Sequence, residues 1–318
     1  MKQNIILIRN FLSKTNYYLK RIFLLPLHFG GTDYYPPVTH NTEKKTFLRR
    51  NFDFLNNKNR MKFWSYLAKK HSTLKFFYSK SPEIEFEKVY SRGDTEYFDE
   101  LKTFYKYGTA TIDNFFNKNE HNKIIKYFQK HVHTQFSNLN LSASWLSNSK
   151  ELNNLIHRNI STIDKVIFNK NIGIKKYRLS SWKKNKNYLS DKRDSVLFHQ
   201  DRFLPSIKLI YFPLKVEIDP YEYCYGSHII NSQFYENSIK TMKGVLNVNN
   251  DYNYSNYEKK KFLVKENSLI ITATHGLHRR SQTTENKSGI RDYITISYYN
   301  DFTRYDLFLN YLKSYLFR

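Results

Sequence analysis

From residue 172 onward the apolar pattern takes a period of two. Short runs at Ile174–Ser181, Ser195–His199, Ile207–Leu214, Ser268–Ala273 and Arg291–Tyr299 are separated by polar turns such as Lys183–Asn187 and Glu285–Gly289. A period of two sends alternate side chains to opposite faces of a strand. Several short strands at this spacing predict a sandwich, jelly roll or barrel. Upstream, Tyr107–Ile112 reads as a turn into a short strand, and Asp113–Phe116 leads out of it. Asn117 or Asn119 then caps a helix whose apolar stripe is Ile124, Ile125 and Phe128. Residues 134–170 are mixed and mostly helical in pattern. At the far end, Leu307, Leu309, Leu312, Tyr315 and Leu316 fall on one helical face, packed on the sheet. The expected fold class is mainly β with flanking helices (α+β).

The first hundred residues differ in character. Residues 1–82 hold sixteen Lys/Arg against three Asp/Glu, a net of +13 out of +24 for all 318 residues. Acidic residues then gather at Glu83, Glu85, Glu87, Asp94, Glu96, Asp99 and Glu100, and that shift sets a boundary: 1–99 as a basic, partly helical region and 100–318 as the main domain. Such a charge fits an anionic partner, whether nucleic acid, anionic lipid or a phosphorylated substrate. It equally fits AT-rich coding, which enriches Lys, Asn, Ile, Tyr and Phe together. Residues 1–32 carry no acidic residue and a broken helical apolar spacing. They read as a basic helix on a membrane surface, an organelle-targeting peptide, or a helix packed on the main domain. Cys224 is the sole cysteine, which excludes a disulfide framework and fits a reducing, cytoplasmic compartment. No run of eighteen apolar residues occurs, so no transmembrane helix is expected.

Chemistry concentrates in two stretches. Phe198-His199-Gln200-Asp201 puts His199 and Asp201 two residues apart, on one face of an extended strand. Thr274-His275-Gly276-Leu277-His278-Arg279 offers a further nitrogen ligand from His278 or His275. Two histidines and one carboxylate on one side of a metal make the facial triad that suits non-haem Fe(II), with open positions for co-substrate and O₂.

The order of motifs resembles the phytanoyl-CoA dioxygenase family of Fe(II)/2-oxoglutarate oxygenases. Phe198–Asp201 is followed by the strand Ile207–Leu214, then Tyr221-Glu222-Tyr223-Cys224-Tyr225-Gly226-Ser227-His228, Glu266–Ile271, Gly276-Leu277-His278-Arg279 and Arg291. The likeness spans about residues 104–300. It departs from the family pattern at Tyr225, at Asp219-Pro220 and at Ser268, none of them a proposed ligand. The resemblance implies a double-stranded β-helix (jelly-roll, cupin-like) core. It implies that His199, Asp201 and His278 hold Fe(II), and that 2-oxoglutarate chelates the metal while Arg291 pairs with its far carboxylate. Arg279 and Arg280 are alternatives to Arg291, and Tyr293 shares the strand face of Arg291 and is placed to touch the same carboxylate. His228 reads as structural. The implied activity is hydroxylation of a small-molecule or carrier-, lipid- or sugar-linked substrate, with succinate and CO₂ as co-products. Asp201 stands where a halogenating relative needs a small residue, which favours hydroxylation.

Two other readings differ in class. One is a jelly-roll protein that binds nucleic acid or an anionic membrane surface without turnover. The other is a nucleic-acid demethylase, which usually carries a second arginine six residues after the co-substrate arginine; Ser297 occupies that position here, so nucleic acid is not the expected partner.

Overall fold

The strand-like runs pair into two antiparallel sheets. The structure is a computed structural model that describes residues 74–136, 142–146, 149–168, 177–184, 198–200, 207–231, 234, 255–282 and 287–298. All of them belong to one compact unit, Leu67–Asn300. Residues 1–73, the expected C-terminal helix Tyr305–Arg318, and most of the connecting segments 183–194 and 231–260 lie outside the described residues.

The strands are β1 (Thr109–Ile112), β2 (Ser142–Leu146), β3 (Tyr177–Lys184), β4 (Ile207–Phe212), β5 (Tyr221–Cys224), β6 (Lys259–Phe262), β7 (Ser268–Ala273), β8 (His278–Arg280) and β9 (Gly289–Tyr298). The large sheet runs β1-β7-β4-β9-β3-β2 and the small one β6-β5-β8. An antiparallel bridge between His199 and His278 lays segment 198–200 beside β8, as a fourth position of the small sheet. The chain therefore swings between sheets: β3 large, 198–200 small, β4 large, β5 and β6 small, β7 large, β8 small, β9 large. That winding is a double-stranded β-helix, the jelly-roll core expected from the period-two runs.

Alternation along the strands sorts the two faces of the large sheet. Leu179, Leu209, Tyr211, Leu269, Ile271, Ile294 and Ile296 point one way, into a single core with the helices. Ile210, Phe212 and Ile270 point the other way, against Tyr221 and Tyr223 of the small sheet. The helical layer comprises α1 (Pro82–Glu87), α2 (Phe98–Tyr107), α3 (Lys118–Tyr127) and α4 (Lys150–Phe168). In α4, Leu152, Ile156, Ile160, Ile163 and Ile167 recur at three- and four-residue steps and are all buried. Each fully buried aliphatic of this kind contributes roughly 1.5–3 kcal/mol, so the helix-facing side carries most of the stability. A 3₁₀ turn, Leu74–Tyr78, and α1 add Phe76, Phe77 and Phe86 to that same core.

Local chemistry fixes the boundaries. Of the two expected caps, Asn117 is the one used: its side chain accepts from the Glu120 amide at 3.0 Å and the Glu120 carboxylate accepts from the Asn117 amide at 3.2 Å. Helix α2 ends where Gly108 turns to φ 86°, and its amide donates to the Phe104 carbonyl. A side chain there would be strained and would also meet the Tyr223 hydroxyl at 2.5 Å and His228 Nδ1 at 2.6 Å. Ahead of β7, Asn267 takes φ 56° and holds the Phe115–Phe116 segment: its Oδ1 accepts from the Phe116 amide and its Nδ2 donates to the Phe116 carbonyl. Among the described residues no helix is long and apolar enough to cross a membrane.

Candidate functional site

Towards one end of the space between the sheets the apolar packing gives way to a cavity of 480 Å³. The inner faces of β3, β4 and β9 form one wall, and Tyr221, His199 and β8 form the other. His199 and His278 meet across the bridge: each amide donates to the other's carbonyl, at 2.9 and 3.0 Å, and the ring centroids stand 4.5 Å apart. Antiparallel pairing at that one position sends both side chains to the cavity side. His278 is buried and its Nδ1 lies 3.0 Å from the Gly276 carbonyl. A carbonyl only accepts, so Nδ1 carries the proton and the lone pair sits on Nε2, the nitrogen a metal would take. The Tyr221 ring packs 5.7 Å from the His278 ring and its hydroxyl bonds to Thr272. The close turn that delivers His278 needs Gly276, because a Cβ there would run into the Tyr223 hydroxyl. Asp201, the expected third ligand, lies outside the described residues. Among those described, no group of three His, Cys, Asp or Glu could hold a metal.

Arg291 stands on the inner face of β9, paired in register with Trp182 of β3. It is buried, and its Nε has no hydrogen-bond partner. The guanidinium lies 5.5 Å from the Phe212 ring centroid and 5.1 Å from that of Tyr293. Burial pushes its pKa down to about 10, and the nearby Arg280 adds to the fall, so it stays charged at neutral pH. A buried guanidinium nitrogen without a hydrogen-bond partner is destabilising until an acceptor joins it. The chemistry of the donor set therefore fits a carboxylate. Tyr293 lines the cavity beside it.

The alternatives are engaged differently. Arg279 Nε donates to the buried carboxylate of Glu222 at 2.7 Å, and its guanidinium covers the Phe198 ring at 4.3 Å. Arg279 thus ties the segment that carries His199 to β5 and β8. Arg280, one residue on, turns inward over Trp182 at 4.8 Å and lines the cavity near Arg291. His275 packs against Phe77 at 4.8 Å and meets the His228 carbonyl at 3.0 Å, on the aromatic side away from the cavity. The sequence reading passed over Arg178, Trp182, Lys208, Tyr221 and Thr274, which also line the cavity. Carrying the alternation of β3 and β4 through position by position would have found Arg178, Trp182 and Lys208.

His228 is fully buried and its Nε2 donates to the Tyr105 carbonyl at 2.8 Å. Burial pushes its pKa from 6.5 down to about 3. Between those values the unfolded chain takes up a proton that the folded chain does not. Stability is thus fully present above pH 6.5 and falls as the pH drops, by up to about 1.4 kcal/mol per unit. His228→Gln keeps the donor and loses the titration. Its melting temperature is expected to fall less than wild type between about pH 7 and pH 5; equal slopes would remove His228 as the source.

No protein-family model matches the chain, and no curated protein matches it. Solved structures similar to it include the non-heme alpha ketoglutarate dependent carbocyclase SnoK from nogalamycin biosynthesis, at 14% identity and a TM-score of 0.45, covering 63% of this chain and 82% of that one. AviO1 from Streptomyces viridochromogenes Tue57 is similar at 11% identity and a TM-score of 0.44, covering 66% and 97%. HygX from Streptomyces hygroscopicus, crystallised with nickel, 2-oxoglutarate and hygromycin B, is similar at 14% identity and a TM-score of 0.41, covering 64% and 87%.

Proposed function

We propose that this chain is an Fe(II)- and 2-oxoglutarate-dependent dioxygenase that hydroxylates a small-molecule or carrier-, lipid- or sugar-linked substrate. The observation that carries the reading is a pairing within one cavity. Two histidines meet on the small sheet, and a buried guanidinium with an orphaned Nε stands on the large sheet facing them. His199 and His278 hold the iron, with Asp201 as the third ligand. Arg291 pairs with the far carboxylate of 2-oxoglutarate, whose planar geometry a guanidinium matches with parallel hydrogen bonds. Tyr293 supports that carboxylate from the same strand. Bound iron, 2-oxoglutarate and O₂ supply the oxidant: one oxygen atom goes to the substrate C–H bond, the other to succinate, and CO₂ leaves. The protein's part is to orient both molecules and keep water out of a cavity floored by Trp182 and Tyr293.

The test is an anaerobic titration of Fe(II) and 2-oxoglutarate into the metal-free protein, watching for the visible charge-transfer band of a metal-bound 2-oxo acid. A saturable band at one equivalent of iron is expected. A folded protein that shows no band at millimolar co-substrate overturns the proposal.

A further inference from the structure

Two more cations stand on the wall that carries Arg291, and the chemistry above leaves them without a role. Arg178 of β3 pairs in register with Thr295 of β9, four residues along from Arg291. Lys208 of β4 pairs with Ser297, six residues along. Both line the cavity. Four and six residues of strand are about 14 and 20 Å, beyond the reach of a five-carbon diacid anchored on Arg291. The strands β3 and β4 flank β9 on either side, so the two backbones are about 10 Å apart across it. Two long side chains can converge on one anion over that gap. Arg178 is exposed, which puts this end of the cavity at its mouth.

The remaining wall is unusual for a ligand site. Such cavities are mostly apolar. Here Ser180, Thr274 and Thr295 contribute hydroxyls, Ile210 is the only large aliphatic among the described lining residues, and none of those residues is Asp or Glu. A hydrocarbon substrate would offer these hydroxyls and cations no acceptor or donor. A phosphate offers three acceptor oxygens and close to two negative charges, enough for two cations where a carboxylate needs only one. Resting on the oxygenase reading, we infer that the substrate is a hydrophilic phosphate ester. Arg178 and Lys208 take its phosphate at the mouth, and its hydroxyl-bearing body lies along the wall towards His199 and His278.

The test uses the metal-free full chain, so that its outcome is separate from that of the iron titration. Glucose 6-phosphate and glucose are titrated calorimetrically into wild type, Arg178→Ser and the double variant Arg178→Ser/Lys208→Gln. Vesicles of phosphatidylcholine with and without phosphatidic acid are titrated in parallel. The phosphate ester is expected to bind and glucose not to. Binding is expected to weaken tenfold or more in Arg178→Ser, which changes an exposed side chain and so leaves the fold intact, and further in the double variant. If only the phosphatidic acid vesicles show this pattern, the phosphate is lipid-borne. Equal binding by wild type and both variants, or no binding of either phosphate source, overturns the inference. An iron titration that succeeds beside that failure leaves the oxygenase reading standing; an iron titration that fails beside phosphate binding removes that reading alone.

Discussion

His278→Ala is expected to abolish the Fe(II)–2-oxoglutarate band at any practical concentration. Even groups that only orient a metal ligand change affinity by about 10–100-fold when mutated, so loss of a ligand itself exceeds that range. The loss reaches both partners, because 2-oxoglutarate binds through the iron and linkage makes each raise the affinity of the other equally. The fold should tolerate the change. His278 bonds within its own turn, at Gly276, and packs on Tyr221, while its backbone bridge to His199 does not depend on the side chain. Added imidazole can enter the space left by the ring, so partial return of the band with imidazole is expected in His278→Ala and not in wild type. A variant that keeps the wild-type band would move the ligand elsewhere. Loss of the band with loss of near-ultraviolet circular dichroism would be a folding defect, which His278→Gln, close in volume, separates from ligand loss.

The legible part of this chain was whatever depended on alternation. Ile207–Phe212 and Ser268–Ala273 read as strands because β-branched residues recur there, and their pairing with each other, and of Ile207–Phe212 with β9, built the sheet that the period-two pattern required. The helix start was legible as Asn117 or Asn119, and the reciprocal bonds with Glu120 settle it on Asn117. Three other short strands were not. Tyr221–Cys224 is buried on both faces, so it shows no alternation. Lys259–Phe262 is an exposed edge with three lysines, held by pairing to β5 and not by its own composition. Ser142–Leu146 forms against β3, a contact no local signal announces. Around the site, parity was enough to put His199 and Asp201 on one strand face and Arg291 and Tyr293 on another, while Arg279 and Arg280 stayed open as alternatives to Arg291. Which inward residues share one cavity depended on the facing of two sheets, and that is set by long-range packing. His275 shows the same limit: nothing local separates it from His278, and the aromatic cluster of Phe77 and Phe234 draws it to the other side.

Arg291→Met should move two measurements in opposite directions. In the ligand-free chain it removes a buried guanidinium whose Nε lacks a partner and whose pKa burial has lowered to about 10. Replacing buried charge by an apolar side chain of similar length is often stabilising by about 1–4 kcal/mol. The contacts of the guanidinium with the Phe212 and Tyr293 rings offset part of this, at about 0.5–2 kcal/mol. A net rise in melting temperature is therefore expected without ligand. Binding goes the other way. A charge-assisted hydrogen bond contributes about 1.5–3 kcal/mol, so the 2-oxoglutarate needed for half-saturation of the iron complex should rise by about 100-fold. Thermal melting with and without Fe(II) and 2-oxoglutarate reads both effects, because a ligand raises stability as the logarithm of its concentration over Kd. Wild type should start lower and gain more; Arg291→Met should start higher and gain little. The crossing of the two curves is the signature of a charge kept for its ligand. If Arg291→Met instead melts lower without ligand and gains as much as wild type with it, Arg291 is a structural charge. The co-substrate carboxylate would then belong to Arg280, the other guanidinium that turns into the same end of the cavity.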